Sequence, residues 1–267
     1  MYSKELTEKI KKHYTKYYKD ECCLADYDSR VKNKIANEEA VELMKMNNLQ
    51  HILGLNFNGQ KHFIFGAGTG GLAIALNKNF NCDVYGIEPD ECGFEIIQNK
   101  CEEAGIDKNN FKMEYGEKLS FESEKFDFIH CYTVLEHVQN IEKCIDEMVR
   151  LIKPGGKIYI NTPNYSFPYD GHYKIFLPTF LPKIFGYLYL IILRKSYKFL
   201  KTINYVTEKE LNKILVRKNN ITWLRVYKPK NESSNNLAGL LCNWLIFKNF
   251  IYNAQEIIII KNNNIQE

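Results

Sequence analysis

Three glycines with the spacing GxGxxG lie in the stretch FIFGAGTGG, where Gly66, Gly68 and Gly71 follow an apolar run. Glycine lets the backbone turn tightly and approach a ligand closely, and an acidic residue at the end of the next strand can bind ribose hydroxyls. Glu88 occupies that place. This combination indicates a site for a dinucleotide or for S-adenosylmethionine (SAM), and a tight strand-to-helix turn without a ligand is the structural alternative.

A second set of residues could move a proton. His137 follows the apolar segment FDFIHCY, while Asp170 and His172 follow the next apolar segment. Histidine is the side chain used most often as a general base near neutral pH. We therefore predict catalytic roles for these three residues. The alternatives are that His137 hydrogen-bonds to the next helix and that Asp170 stabilises a polar turn. We expect His130, inside the segment, to be packed.

The elements that position these residues can be read from the sequence pattern. From residue 62 onward, segments of strand length alternate with helical segments. This order predicts a parallel sheet with helices on both faces and a ligand site at the carboxyl ends of its strands. We expect the KPGG stretch to form a turn after a helix over 141–152. The predicted strands are 62–66, 82–88, 111–115, 126–132, 157–162, 221–228 and 256–262.

The remaining segments define four predicted regions of the chain. Residues 1–55 form an N-terminal helical extension that stops at Gly54, and 56–164 form the cofactor-binding core. Residues 165–206, rich in proline and aromatic residues, form an insertion that acts as an acceptor lid. Residues 207–267 complete the fold and include an apolar-faced helix over 236–253.

Composition and charge argue against several classes of function. A net charge of +4 with 25% charged residues is ordinary for a globular protein. Neither this charge nor any sequence motif indicates a nucleic-acid partner. None of the eight cysteines forms a CxxC pair, so we expect no metal site. The N-terminus resembles no secretory signal, which predicts a cytoplasmic protein with reduced thiols. No apolar run reaches the ~20 residues that span a bilayer.

Four blocks in order, GAGTGG, IEPD, FDFIHCYTVLEHV and LIKPGGKIYINTPN, resemble class I SAM-dependent methyltransferases. The likeness includes the branch of ubiquinone-biosynthesis O-methyltransferases and is good over residues 62–164. It implies an α/β fold with a doubly wound, mostly parallel seven-stranded sheet, the Rossmann-like methyltransferase fold, closed by an antiparallel final strand. SAM is the cofactor that it implies, whereas a dehydrogenase would need none of the later blocks.

The resemblance also assigns residues to the cofactor. They comprise the glycine loop, the end of the second strand, the segment after the third strand and the end of the fourth strand: Gly66, Ala67, Gly68, Thr69, Gly70, Glu88, Pro89, Gly116, Glu117, Cys131 and Tyr132. Two positions depart from the family pattern. Ile64 and Tyr115 stand where the family usually has acidic residues that help to hold SAM, and each loss removes a polar contact.

The resulting expectation is a methyltransferase that acts on a small-molecule, sugar or lipid-linked acceptor at oxygen. A catalytically degenerate binding module and an NAD-dependent oxidoreductase are the alternatives. The apolar run 184–193, with basic residues as far as 201, has three interpretations: a lid, a core helix, or an interfacial helix at the inner face of a membrane. The sequence does not indicate an oligomeric state.

Overall fold

The computed structural model describes residues 2–226 and 254–263, and these residues contain a seven-stranded sheet and a separate two-stranded hairpin. The strands are β1 (Lys61–Phe65), β2 (Asp83–Ile87), β3 (Phe111–Lys112), β4 (Phe126–Tyr132), β5 (Ile152–Pro163), β6 (Tyr169–Asp170), β7 (Ile175–Phe176), β8 (Ile221–Arg225) and β9 (Ala254–Lys261). The sheet has the order β3-β2-β1-β4-β5-β9-β8. Strands β1 to β5 pair in parallel, and β9 is antiparallel to both β5 and β8. The predicted fold class is confirmed.

Eight α-helices accompany the strands in the described residues, and side-chain caps explain where several of them begin. They are α1 (Lys4–Thr15), α2 (Tyr27–Leu53), α3 (Gly71–Phe80), α4 (Glu91–Ala104), α5 (Ile141–Leu151), α6 (Lys183–Ile192), α7 (Lys198–Thr202) and α8 (Glu208–Val216). Asp90, Asn140 and Thr207 each accept a hydrogen bond from a backbone amide in the first turn of α4, α5 and α8. Helix α2 ends at Gly54, whose φ of 60° favours glycine.

Buried side chains cover both faces of the sheet, as its doubly wound topology requires. One core includes Phe63, Ile129, Met148 and Leu215, and so joins the sheet to α5 and α8. The opposite core includes residues of α2, α3 and α4, with Met46 among them. The N-terminal helices thus pack against the sheet domain and contribute to its hydrophobic core.

Three local predictions differ from the structure or lie outside it. The KPGG stretch belongs to strand β5, although Gly155 has a φ of 76° and the pairing with β4 shifts register between Phe126 and Phe128. The backbone therefore turns through a strand irregularity instead of leaving the sheet. Strand β3 pairs over two residues only, because just Phe111 and Lys112 align with β2. The helix predicted over 236–253 lies outside the described residues.

The insertion after β5 builds a small core of its own around Tyr173, Leu177, Leu190 and Leu200. Helix α6 buries Gly186 and Leu190 in this core. The core-helix interpretation of the run 184–193 is therefore wrong for most of its side chains, because one face of α6 is exposed. Five large apolar side chains on α6 are at least 48% exposed: Ile184, Phe185, Leu188, Ile191 and Ile192.

Within residues 2–226 and 254–263, none of the helices combines the length and apolar character needed to cross a membrane.

Candidate cofactor and acceptor site

The glycine loop joins β1 to α3 at the carboxyl end of the sheet. Gly66, Gly68 and Gly70 all have positive φ, which side chains rarely adopt. At Gly66 a Cβ atom would also lie 2.4 Å from Val134 Cγ2, so a larger residue would push the loop away from the end of β4. No atom stands within 4 Å of a Cβ built on Gly68, where the described backbone is open to a ligand.

Glu88, the first residue after β2, faces this loop. Its Oε2 accepts a hydrogen bond from the Gly68 amide at 2.6 Å and its Oε1 accepts one from the Asp90 amide at 2.9 Å. Burial raises the pKa of Glu88, and the two amide hydrogen bonds oppose that effect. Carboxylate oxygens that already accept from backbone amides can also accept from ribose hydroxyls, so the geometry fits the predicted role.

A buried polar network ties the N-terminal helices to the loop. Glu38 of α2 accepts hydrogen bonds from Tyr14 Oη at 2.5 Å and from Thr69 Oγ1 at 2.7 Å, and it pairs with the buried Lys100 of α4. Burial alone would raise the pKa of Glu38, but Lys100 and Lys34 outweigh it and lower the value to about 2. Sequence reasoning missed Glu38, because only the folded helix brings it to the glycine loop.

A cavity of about 1110 Å³ extends from the loop toward α1 and the insertion. Gly68, Glu88, Thr133, His137 and Phe199 are among its lining residues. Ligand sites for small molecules commonly measure ~300–1,000 Å³. The cavity therefore has room for SAM beside an acceptor, and it joins the predicted cofactor residues to one predicted catalytic residue.

The three predicted catalytic residues lie together: His137 follows β4, Asp170 ends β6, and His172 lies in the turn between β6 and β7. The rings of His137 and His172 contact edge to face with centroids 5.5 Å apart. His172 Nδ1 lies 3.4 Å from Asp170 Oδ2, and Asp170 is fully buried. The structure thus brings together residues that the sequence separates by a whole strand.

The pKa values of the two imidazoles in this cluster are shifted in opposite directions. Burial, with a smaller contribution from the neighbouring His172, lowers the pKa of His137 to about 4, so His137 is neutral at physiological pH. Burial would also lower the pKa of His172, but the hydrogen bond and charge of Asp170 outweigh it and raise the value. A neutral imidazole that lines the cavity can accept a proton.

Sequence reasoning missed Glu136, the residue before His137. Its side chain is fully buried, and burial raises its pKa to about 7. Thr162 Oγ1 donates to Oε2 at 3.0 Å, while Oε1 finds no hydrogen-bond partner among the described residues. Ligand atoms of Glu136, His137 and His172 lie within 4.8 Å of one another, a spacing that also suits a shared divalent cation. The carboxylate in the sequence LEHV was the available signal.

The other predicted cofactor residues differ in whether they line a cavity. Ala67, Thr69 and Tyr132 line a smaller cavity beside the loop, and Gly70 caps helix α3. Pro89 is exposed.

Gly116 packs so closely that a Cβ atom would lie 2.1 Å from Phe65 Cζ. Glu117 accepts hydrogen bonds from the amides of Gln139 and Asn140 and lines a surface cavity with Tyr115. Cys131 is fully buried in the core, where burial raises the pKa of its thiol.

His130 is packed, as predicted, and it pairs with a histidine that the sequence did not single out. Its Nε2 lies 2.8 Å from His62 Nδ1, and both rings are fully buried. Burial lowers the pKa of both, that of His62 to about 4. The outer nitrogens, His62 Nε2 and His130 Nδ1, have no partner in the described parts of the chain.

Comparison with known proteins identifies a family whose match extends over most of the chain. The sequence model of a family described as "Methyltransferase domain" matches residues 39–222. The ubiquinone biosynthesis O-methyltransferase of Coxiella burnetii (strain Dugway 5J108-111) is 33% identical over 108 residues, which is 40% of this chain and 45% of that protein. The chain thus matches less than half the length of this curated relative.

Solved structures share the fold at low sequence identity. A Haemonchus contortus phospholethanolamine N-methyltransferase 2, solved with phosphomonomethylethanolamine and S-adenosylhomocysteine, aligns with a TM-score of 0.54 at 15% identity, covering 82% of this chain and 52% of that chain. The [4+2]-cyclase SpnF aligns with a TM-score of 0.53 at 12% identity, covering 82% and 81%. One architecture therefore carries different named activities, and the reaction must be argued from the site.

Proposed function

Because the chain belongs to the methyltransferase-domain family and SAM is its cofactor, we propose that it methylates a hydroxyl oxygen of a small-molecule, sugar or lipid-linked acceptor. The observation that carries the proposal is the position of His137. This neutral imidazole lines the same cavity as Gly68 and Glu88, so a proton acceptor and the proposed cofactor contacts share one enclosure.

Methyl transfer to oxygen needs little from the protein beyond alignment and removal of one proton. Bound SAM would supply an electrophilic methyl carbon on a positively charged sulfur. His137 is placed to accept the proton of the acceptor hydroxyl, and the sulfur of bound SAM would give up its methyl group to that oxygen. Asp170 and His172 act as positioning residues, because Asp170 holds the His172 ring against His137.

The name of the Coxiella burnetii relative, an O-methyltransferase, supports oxygen as the target. The relative is matched over less than half its length, so its own acceptor is not carried over. The alternative is a degenerate, non-catalytic module, because Ile64 and Tyr115 stand where the family usually has acidic residues that contact SAM. Family membership gives no support to an NAD-dependent oxidoreductase.

The exposed face of α6 supports a peripheral membrane contact, which we include in the proposal together with a cytoplasmic location. The exposed apolar side chains of α6 are followed by the basic residues Arg194, Lys195, Lys198 and Lys201. Apolar side chains beside lysine and arginine suit the surface of an anionic bilayer. A lipid-linked acceptor would then reach the insertion from the membrane.

Calorimetric titration of the purified chain with SAM, with NAD as a control ligand, tests the proposal. We expect micromolar SAM binding and no response to NAD. Glu88→Gln should weaken SAM binding at least about tenfold through its lost ribose contacts, whereas Glu91→Gln, an exposed neighbour, should not. Absence of SAM binding by the wild type at millimolar concentration would overturn the enzyme and favour the degenerate module. Binding would justify a screen of hydroxyl acceptors with labelled SAM.

A further inference from the structure

A second cavity, of about 220 Å³, lies between helix α2 and the glycine loop. Helix α2 lines it with four charged side chains of both signs: Lys34, Glu38, Glu42 and Lys45. Their spacing places them along one side of the helix. The facing wall consists of the glycine loop, Ile64 and the end of β4, so the only carboxylates among the lining residues come from α2.

The two carboxylates are not equivalent. Glu38 is saturated, because Tyr14, Thr69 and Lys100 all bond to it and Lys34 lies 3.6 Å from it. Glu42 is bonded at 2.7 Å to Lys45, whose side chain is 43% exposed while that of Glu42 is 13% exposed. A half-exposed lysine on the same helix is a weak partner that a ligand can rearrange.

The two cavities share part of their walls. Gly68 and Thr133 line both of them, so a ligand lying across the glycine loop can extend from one cavity into the other. SAM has two chemically different ends. Its nucleoside carries ribose hydroxyls, which we assign to Glu88 in the larger cavity, and its amino-acid end carries one ammonium and one carboxylate.

We propose that the Glu42–Lys45 ion pair binds the zwitterionic amino-acid end of SAM, with Glu42 on the ammonium and Lys45 on the carboxylate. This assignment rests on the proposed function. An ion pair offers a zwitterion two complementary charges at once, and charge-assisted hydrogen bonds are the strong ones in such a site. Ile64 on the facing wall offers no charge, so Glu42 supplies from α2 the acidic group that the strand lacks.

Binding calorimetry with three ligands on the full chain tests the assignment. SAM and S-adenosylhomocysteine carry the amino-acid end, whereas 5′-methylthioadenosine has the same nucleoside and lacks it. Glu42→Gln and Lys45→Met should each weaken binding of the first two ligands about tenfold and change that of methylthioadenosine less than twofold. The matched control is Asp28→Asn, which breaks an exposed ion pair with Lys32 on the same helix and should leave all three affinities unchanged.

Two outcomes would overturn the assignment while leaving SAM as the cofactor. One is unchanged SAM affinity in both variants. The other is an equal loss of affinity for methylthioadenosine, which would mean that the substitutions disturb the glycine loop as a whole. Failure of the wild-type chain to bind SAM is a separate result, because it would overturn the proposed function itself.

Discussion

The imidazoles of His137, which follows β4, and His172, which follows β6, contact edge to face with their centroids 5.5 Å apart. Asp170 raises the pKa of one ring against the effect of burial, and burial lowers the pKa of the other. Groups whose environments move their pKa values apart are typical of sites that transfer protons. The ring with the raised pKa lies beside Asp170, and the neutral ring of His137 lines the cavity.

Replacing His137 by asparagine should reduce kcat at least about 100-fold with a hydroxyl acceptor, because a positioned general base contributes about 10²–10⁴-fold. SAM affinity should stay within about twofold, since the imidazole is assigned to the acceptor. His51→Asn, at an exposed position of α2, is the control. Single-turnover methyl transfer measures the rate, and an unchanged kcat for His137→Asn would exclude the base.

Replacing Glu136 by glutamine should stabilise the protein at alkaline pH. The pKa of this carboxyl is about 7 in the fold, above its ordinary value of 4.5. Its contribution to stability is therefore present below pH 4.5 and is lost as the pH rises to about 7. The lost contribution is on the order of 3 kcal/mol, which glutamine would not lose.

Urea denaturation in the presence of EDTA at pH 5 and pH 8 measures this effect. The stability difference between Glu136→Gln and the wild type should be larger at pH 8. A difference independent of pH would show that Glu136 does not titrate between these values. If methyl transfer also slows, Glu136 serves the reaction at the expense of stability.

The His62–His130 pair should make the fold sensitive to acid. Both pKa values lie below the ordinary 6.5, that of His62 at about 4, so the unfolded chain binds protons that the folded chain does not. Stability is then present above pH 6.5 and is lost as the pH falls toward 4.

A double variant, His62→Leu with His130→Leu, should lose most of this pH dependence, because it removes both titrating rings and their two unpartnered buried nitrogens. Thermal unfolding from pH 7.5 to 5 measures the slope. The exposed His51→Asn variant should keep the slope of the wild type. Equal slopes in the wild type and the double variant would mean that other groups dominate the acid response.

The exposed face of α6 should bind anionic vesicles. We expect the chain to float with vesicles that contain phosphatidylglycerol and to bind pure phosphatidylcholine less, with binding that falls as salt rises. Leu188→Glu with Ile192→Glu should abolish flotation. Val216→Glu, at an exposed apolar position on α8, should not. Flotation of the double variant at the wild-type level would argue against the membrane contact.

The sequence predicts the sheet well because its central strands are short apolar segments whose side chains are mostly buried. Phe126–Tyr132 has the predicted bounds. Local patterns determine these features, so no tertiary information is needed. The start of strand β5 was harder to predict. The KPGG stretch has the composition of a turn, but the pairing of β5 with β4 keeps it in the sheet.

The sequence identified site residues only where their type or a local motif pointed to a function. His137, Asp170 and His172 were proposed from residue type, yet their contact depends on the path of the insertion. Glu38 and Glu42 were not singled out, because an amphipathic helix shows which residues share a face and does not show what that face contacts. Glu136 was overlooked beside His137, since burial and not sequence gives it an unusual pKa.

Strand β9 lies between β5 and β8, although it follows both of them in the chain. During synthesis, β5 and β8 emerge from the ribosome before the strand that joins them exists. The edge of β5 that pairs with β9 then lacks its partner until the isoleucine-rich segment Ala254–Lys261 emerges. Completion of the sheet must wait for this late segment, so we expect the nascent chain to depend on chaperones until residue 261 has emerged from the ribosome.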